Sequence, residues 1–250
     1  MNNEHFDYVL RIADNALILS QRLSEWCGHA PVLEEDLALA NIALDLIGQA
    51  RLLLTHAGAL EGKGRDEDQL AFLRSEGQYF NVTMVELPNG DFGRTTLRNF
   101  LFSAFQRELW QALRESKDQE LAAIAAKSLK ETRYHLRHCA DWVVRLGDGT
   151  DESRFRMQSA LASLWPYCAE IFAEDGADRA VAAAGLGVQW SSLEPGWLAI
   201  VIPTLDEATL AVPAPSAFRS EGKCGAHSEH MGRLLTEMQY LQRTFPGSHW

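Results

Sequence analysis

Carboxylates and imidazoles at helical spacing could hold iron, and one stretch of this sequence carries both: Glu131-Thr-Arg-Tyr134-His135, followed by His138 and Cys139. Glu131 and His135 are i and i+4, so a helix presents them on one face, and both donor types suit iron. A di-iron helical bundle asks for more. It needs a Glu from each of two helices and Glu-x-x-His from each of the other two. Elsewhere the supply is thin. Asp14 lies beside an apolar stripe, Asp45-Leu-Ile-Gly48 has no imidazole three residues on, and Asn41 and Gln49 are its inward polar neighbours. A third segment offers only Glu108, and Glu25 sits too near a helix end. The favoured reading is a buried polar network of Asp14, Asp45, Gln49, Glu131 and His135, closed by a base such as Lys130 or Arg133. Such a network fixes helix register more than it adds stability. The competing reading makes the chain itself a metal-dependent oxidoreductase with an atypical site, its ligands Asp14, Asp45, Glu108, Glu131 and His135.

Cys224-x-x-His227-x-x-His230 has the look of a zinc site but lacks a second ligand pair nearby in the sequence. Its plainer reading is a Gly-rich helix entry capped by His227 or Ser228. Phosphate-binding glycine loops and the G-x-S-x-G elbow are absent. Trp26, Trp110, Trp142, Trp165, Trp190 and Trp197 read as core or interface anchors.

The elements that must position these residues are helices. Residues 4–27 carry two apolar stripes, Leu10/Ala13/Leu17 and Ile12/Ala16/Leu19/Leu23, which predicts burial on two sides. Further long helices are expected over about 34–58, 94–115 and 118–146, the last opened by a Ser116/Gln119 capping box and closed at Gly147-Asp148-Gly149. Residues 61–69 read as loop, with a short helix over 67–75, and Pro88-Asn89-Gly90-Asp91 as a turn. Shorter helices follow over about 151–174 (capped by Thr150), 177–184, 192–210 (interrupted by Pro203) and 227–243. The pattern is all-α: a single domain over residues 1–250, a four-helix bundle with a long crossover between its second and third helices, as in ferritin-like folds, and additional C-terminal helices.

Composition narrows the function classes. Among 250 residues, 34 Asp and Glu outnumber 23 Lys and Arg for a net charge of −11, which argues against nucleic acid as a partner and against a main CoA-phosphate binder. The N-terminus lacks the features of a signal peptide. Four scattered cysteines read as reduced thiols, and the expected location is the cytoplasm, away from membranes.

Several blocks together resemble one family. They are Leu19-Ser-Gln-Arg-Leu-Ser-Glu-Trp26-Cys-Gly-His-Ala-Pro31, Glu35-Asp-Leu-Ala-Leu-Ala-Asn41-Ile-Ala-Leu-Asp45 through Arg51, Lys130-Glu-Thr-Arg-Tyr-His-Leu-Arg137, Arg145-Leu-Gly-Asp-Gly-Thr150 and His227-Ser-Glu-His-Met-Gly232 through Arg243. They resemble, over nearly the whole chain, the C subunits (PaaC) of bacterial ring-1,2-phenylacetyl-CoA epoxidases, of the ferritin-like superfamily. The resemblance implies a non-catalytic structural subunit in phenylacetate catabolism. Its partners would be a homologous A subunit that carries the di-iron centre and binds the CoA thioester, a small B subunit, and a reductase that delivers NADPH electrons through FAD and a 2Fe-2S cluster. It implies no cofactor in this chain. Matched to the catalytic relative, the first-helix Glu falls on Ala16 and the second-helix Glu-x-x-His on Leu46-Ile-Gly-Gln49. The third-helix carboxylate falls near Ser103, and the fourth-helix pair near Glu131 and Tyr134 or His135. No catalytic or metal-binding residue carries over.

Overall fold

The computed structural model describes residues 2–248. In chain order its helices are α1 (Asn2–Ser24), α2 (Leu33–Glu61), α3 (Glu67–Phe72), α4 (Thr83–Glu86), α5 (Phe92–Leu113), α6 (Gln119–Gly147), α7 (Asp151–Ile171), α8 (Gly176–Ala184), α9 (Glu194–Glu207) and α10 (Met231–Thr244). Short 3-10 turns occur at Glu76–Gln78, Trp190–Leu193 and Gly222–Cys224. No strand occurs among the described residues, where one isolated bridge joins Glu221 and Ala226. The all-α, ferritin-like class holds, with two long helix pairs, a crossover between them and extra helices after the fourth. The chain divides into two compact units, one of residues up to Pro88 plus those from Ser220, the other Asn89–Arg219.

In the first unit α1 and α2 form a long pair. Tyr8, Val9, Ile12, Ala13, Ala16 and Leu19 are all buried, as two apolar stripes require. Acids Glu34, Glu35 and Asp36 occupy the first turn of α2, where the helix dipole favours them. Gly62 closes α2 at φ 68°, its N–H bonded to the Gly58 carbonyl, a left-handed cap that glycine adopts without strain. The crossover is more ordered than the sequence suggests. An Asp66/Gln69 capping box starts α3, and the 3-10 turn at Glu76–Gln78 and the buried turn α4 go beyond the sequence expectation.

The second unit is built on the pair α5 and α6. Asp91 caps α5 by accepting from the Arg94 N–H, so the helix starts two residues before the expected position. The expected Ser116/Gln119 box does not form. Asp118 caps α6 instead, accepting from the Glu120 and Leu121 N–H groups, while the Ser116 hydroxyl donates to the Leu186 carbonyl. Thr150 caps α7 as expected, in a box with Ser153. Pro203 does not interrupt α9. It faces solvent, and Trp197, Val201 and Leu205 are buried on the opposite side, holding the helix together past the missing N–H. Nor does α10 begin at 227. It starts at Met231, because His227 and Ser228 are engaged elsewhere.

Trp110, Trp190 and Trp197 are fully buried; Trp26, Trp142 and Trp165 are half-buried. Phe105 lies 4.8 Å from Trp190 and 6.1 Å from Phe172, which lies 5.3 Å from Trp197. The Trp197 indole N–H donates to the Leu101 carbonyl at 2.8 Å, so its one polar atom is satisfied within this aromatic core.

Candidate functional site

At the positions that the sequence reading matches to a catalytic relative's ligands, each unit offers mostly groups that do not bind iron. In the first unit Ala16 on α1 and the i, i+3 pair Leu46 and Gln49 on α2 are buried. In the second unit Ser103 on α5 is buried, and the i, i+3 pair turned inward on α6 is Thr132 and His135. The sequence reading puts Glu131 in that pair, one residue out of phase. The Glu131 side chain is 21% exposed and lies 3.9 Å from Lys127, and Tyr134 is exposed, stacked with His138. The buried positions Leu121, Ile124, Ser128, Thr132, His135, Cys139 and Val143 run in steps of three and four residues. Following that stripe places Thr132, not Glu131, inward. Methyl, isobutyl, amide and hydroxyl groups with one imidazole do not make the carboxylate-rich donor set that paired iron ions need.

The other proposed ligands have different tasks. Asp45 is half-buried and Gln49 buried. Glu108 pairs with Arg107 at 2.5 Å and packs so closely on Gly196 that a Cβ there would run into its carboxylate. Asp14 is committed to the crossover. Its Oδ2 accepts from Arg74 Nη1 and from the Phe80 N–H, both at 2.9 Å, and its Oδ1 accepts from Arg74 Nη2. The carboxylate of Asp14 therefore serves Arg74 rather than Asp45 or Gln49.

Around that ion pair the first unit builds a buried network that no local sequence pattern announces. Arg74 also donates to the Gln78 carbonyl at 2.7 Å, and its guanidinium covers the Tyr79 ring at 4.0 Å. The Tyr79 hydroxyl donates to the Ala71 carbonyl and accepts from Gln239 Nε2 at 2.8 Å. Burial pushes its pKa up to about 12. Gln239 and Arg243 of α10 both donate to the Arg74 carbonyl, at 3.0 and 2.9 Å. Next to Asp14, Asn15 accepts from the Val82 N–H at 2.9 Å, fixing the entry to α4.

The end of α4 has its own centre, Glu86. Arg22 of α1 donates twice to its carbonyl, at 2.9 and 2.7 Å. Its carboxylate accepts from Asn81 Nδ2 at 2.8 Å and from the Ser228 N–H at 2.6 Å. His227 lies against it, Nδ1 to Oε2 at 2.7 Å, with Nε2 2.9 Å from the Tyr79 carbonyl. Both ring nitrogens thus face oxygen acceptors, an arrangement that calls for two N–H donors and hence imidazolium. Burial pulls the His227 pKa down, but the Glu86 hydrogen bond and charge, the Tyr79 carbonyl and the Asp14 charge outweigh it, and the net shift is upward. The zinc reading of Cys224, His227 and His230 falls with this geometry. Cys224 is exposed and both His227 nitrogens are in use.

The network ties α1, the crossover and α10 together, and its acids and bases are consumed by one another. It can hold the fold in register; it presents no activated nucleophile and no open ligand set.

A family model described as phenylacetic acid catabolic protein (PaaA_PaaC) matches residues 1–250. The chain is also similar to the C subunit of 1,2-phenylacetyl-CoA epoxidase from Escherichia coli (strain K12), with 52% identity over 248 residues covering 99% of this chain and 100% of that protein. With an all-α ferritin-like element order and a match along its whole length, the chain belongs to the phenylacetic acid catabolic protein family.

Proposed function

We propose that this chain is the non-catalytic, structural subunit of a 1,2-phenylacetyl-CoA epoxidase, a cytoplasmic monooxygenase complex of aerobic phenylacetate breakdown. On this reading it pairs with a homologous chain that carries the di-iron centre and binds the CoA thioester. A small further subunit and a reductase with FAD and a 2Fe-2S cluster complete the complex. One observation carries the assignment: the inward i, i+3 pairs are Leu46/Gln49 and Thr132/His135, where a catalytic chain would need Glu-x-x-His twice. The 52% identity to the Escherichia coli protein supports it.

Chemistry would then lie outside this chain, whose residues bind and stabilise. The alternative, an oxidoreductase site in this chain, has no support from Asp14, which Arg74 and the Phe80 N–H occupy. The test is reconstitution. The di-iron chain is produced with and without this subunit, and soluble yield and epoxidation of phenylacetyl-CoA are measured. A partner that is soluble and fully active alone would overturn the assignment; one that needs this chain for either property supports it.

A further inference from the structure

In the second unit, where α5 and α7 pack on each other, a cleft lies over the start of α5. It consists of two adjoining hollows of about 280 and 180 Å3, both lined by Asp91 and Arg156. The larger holds the polar groups. Arg156, Ser159 and Ser163 of α7 are three and four residues apart, so the helix presents them on one face, and Arg94 of α5 completes the lining from the other side. The smaller is more apolar, with Phe92, Leu146 and Met157 in its walls.

Arg94 is held in place before any ligand arrives. Gly90 turns the chain into α5 at φ 65°, and the Arg94 side chain folds back over it, so that a Cβ at Gly90 would lie 2.6 Å from Arg94 Cδ. The Arg94 N–H donates to Asp91 Oδ1 at 2.8 Å, and Nη1 donates to the Ser163 hydroxyl, which itself donates to the Ala160 carbonyl at 2.8 Å. Among the described residues no carboxylate lies within ion-pair distance of this guanidinium, and its Nε and Nη2 have no hydrogen-bond partner. The side chain is half-buried. Burial pulls its pKa down, and Tyr167 and Asp91 offset that only in part. A half-buried cation without a counter-charge calls for an anion.

Arg156 adds a second guanidinium. Its Nε lies 2.6 Å from Glu152 Oε1 and its Nη1 3.8 Å from Asp91 Oδ2, while its Nη2 and the Ser159 hydroxyl have no partner among the described residues. The Glu152 side chain is 68% exposed, so water screens it. Asp91 is the one carboxylate in the lining, and it is occupied as the cap of α5. The cleft is thus a local excess of positive charge on a chain whose net charge is −11. Guanidinium forks match the paired oxygens of a tetrahedral oxyanion, and the first turn of α5 adds the positive end of a helix dipole. We propose that this cleft binds a phosphate group, with Arg94 and Arg156 on its oxygens and the Ser159 hydroxyl donating to it. Phe155, 69% exposed in the same lining, offers a flat face to a ring carried by that phosphate. The site is independent of the structural-subunit reading.

The test is isothermal titration calorimetry of the purified full-length chain with inorganic phosphate and with adenosine monophosphate, at an ionic strength held constant with chloride. Wild type is compared with Arg94→Gln, Arg156→Gln and the control Arg179→Gln. Arg179 is an exposed arginine of α8 in the same unit. Circular dichroism first establishes that each variant keeps its helix content. Arg94 is half-buried, so Arg156→Gln, at an exposed position, decides the matter if Arg94→Gln does not fold. The expected result is saturable phosphate binding that weakens about tenfold or more in either cleft variant, roughly 1.4 kcal/mol or more, and is unchanged in the control. The urea midpoint of the wild type should also rise with added phosphate, and that of Arg156→Gln should not. Tighter binding of adenosine monophosphate, with the advantage lost in Phe155→Ala, would uphold the site and mark its phosphate as one carried on a ring; equal binding would uphold it as a site for free phosphate. No saturable binding of either ligand up to about 10 mM would overturn the proposal. So would equal affinity in the wild type and both cleft variants, which would mean an adventitious ion only.

Discussion

The two units differ in what their long-range buried polar contacts join. In the first, Asp14, Arg74, Glu86 and His227 are charged and bonded to partners far away in the chain, with a separation of 60 residues from Asp14 to Arg74 and 141 from Glu86 to His227. In the second, Asn99, Ser103, Gln106, Ser128 and Thr132 of α5 and α6 are buried and neutral, and buried charged side chains stand at Arg98, Glu170 and Asp178. Charge is used where three separate segments, α1, the crossover and α10, must be clamped in one arrangement. Neutral Ser103 and Thr132 stand at or beside positions that the resemblance matches to a catalytic relative's ligands. Buried ion pairs cost desolvation and can fix one arrangement of the segments they join, so the clamp marks where the first unit depends on a unique register.

This contrast can be broken by experiment. The largest effect is expected from Asp14→Ala, which leaves Arg74 buried without its counter-charge and should cost about 3–5 kcal/mol, read as a shifted urea midpoint. A loss below about 1 kcal/mol, the scale of an exposed ion pair, would mean that the clamp is ornamental. His227→Gln should cost less, about 1–3 kcal/mol, through the lost charge-assisted bond to Glu86. It should also remove a pH dependence. His227 binds its proton more tightly folded than unfolded. The stabilisation is therefore fully present below the ordinary histidine pKa of about 6.5 and fades as pH rises through the elevated folded value. Urea midpoints across that range should fall in the wild type and stay flatter in the variant. The smallest effect belongs to the second unit. Thr132→Val removes a buried hydroxyl that has no hydrogen-bond partner among the described residues, and should be near neutral or stabilising by up to about 1 kcal/mol. A loss as large as that of Asp14→Ala would erase the distinction between the units.

Much of this architecture is legible in the sequence, and the illegible parts share a cause. The stripes of α1, the acidic start of α2 and Thr150 as a cap all depend on neighbours within a few residues. The turn α4 is four residues long and has no local reason to form. It exists because Asn15 holds the Val82 N–H and Arg22 holds the Glu86 carbonyl. On α6 the i, i+4 spacing of Glu131 and His135 misleads about register, because the buried stripe passes through Thr132. His227 resembles a metal ligand for a sound reason, an imidazole near a cysteine and a second histidine. Its partner is a carboxylate 141 residues away, beyond the reach of spacing rules. The absence of Glu-x-x-His on the second helix, by contrast, is plain from the residues alone, and Leu46 and Gln49 do occupy the buried face there.

If the iron chemistry belongs to another chain, the most direct measurement is elemental mass spectrometry of the purified protein, alone and after co-expression with its homologous ferritin-like partner. No stoichiometric iron is expected in the isolated chain, and iron together with epoxidation activity is expected in the complex. A pair of iron ions bound by the isolated chain, and lost when His135 is substituted, would contradict it.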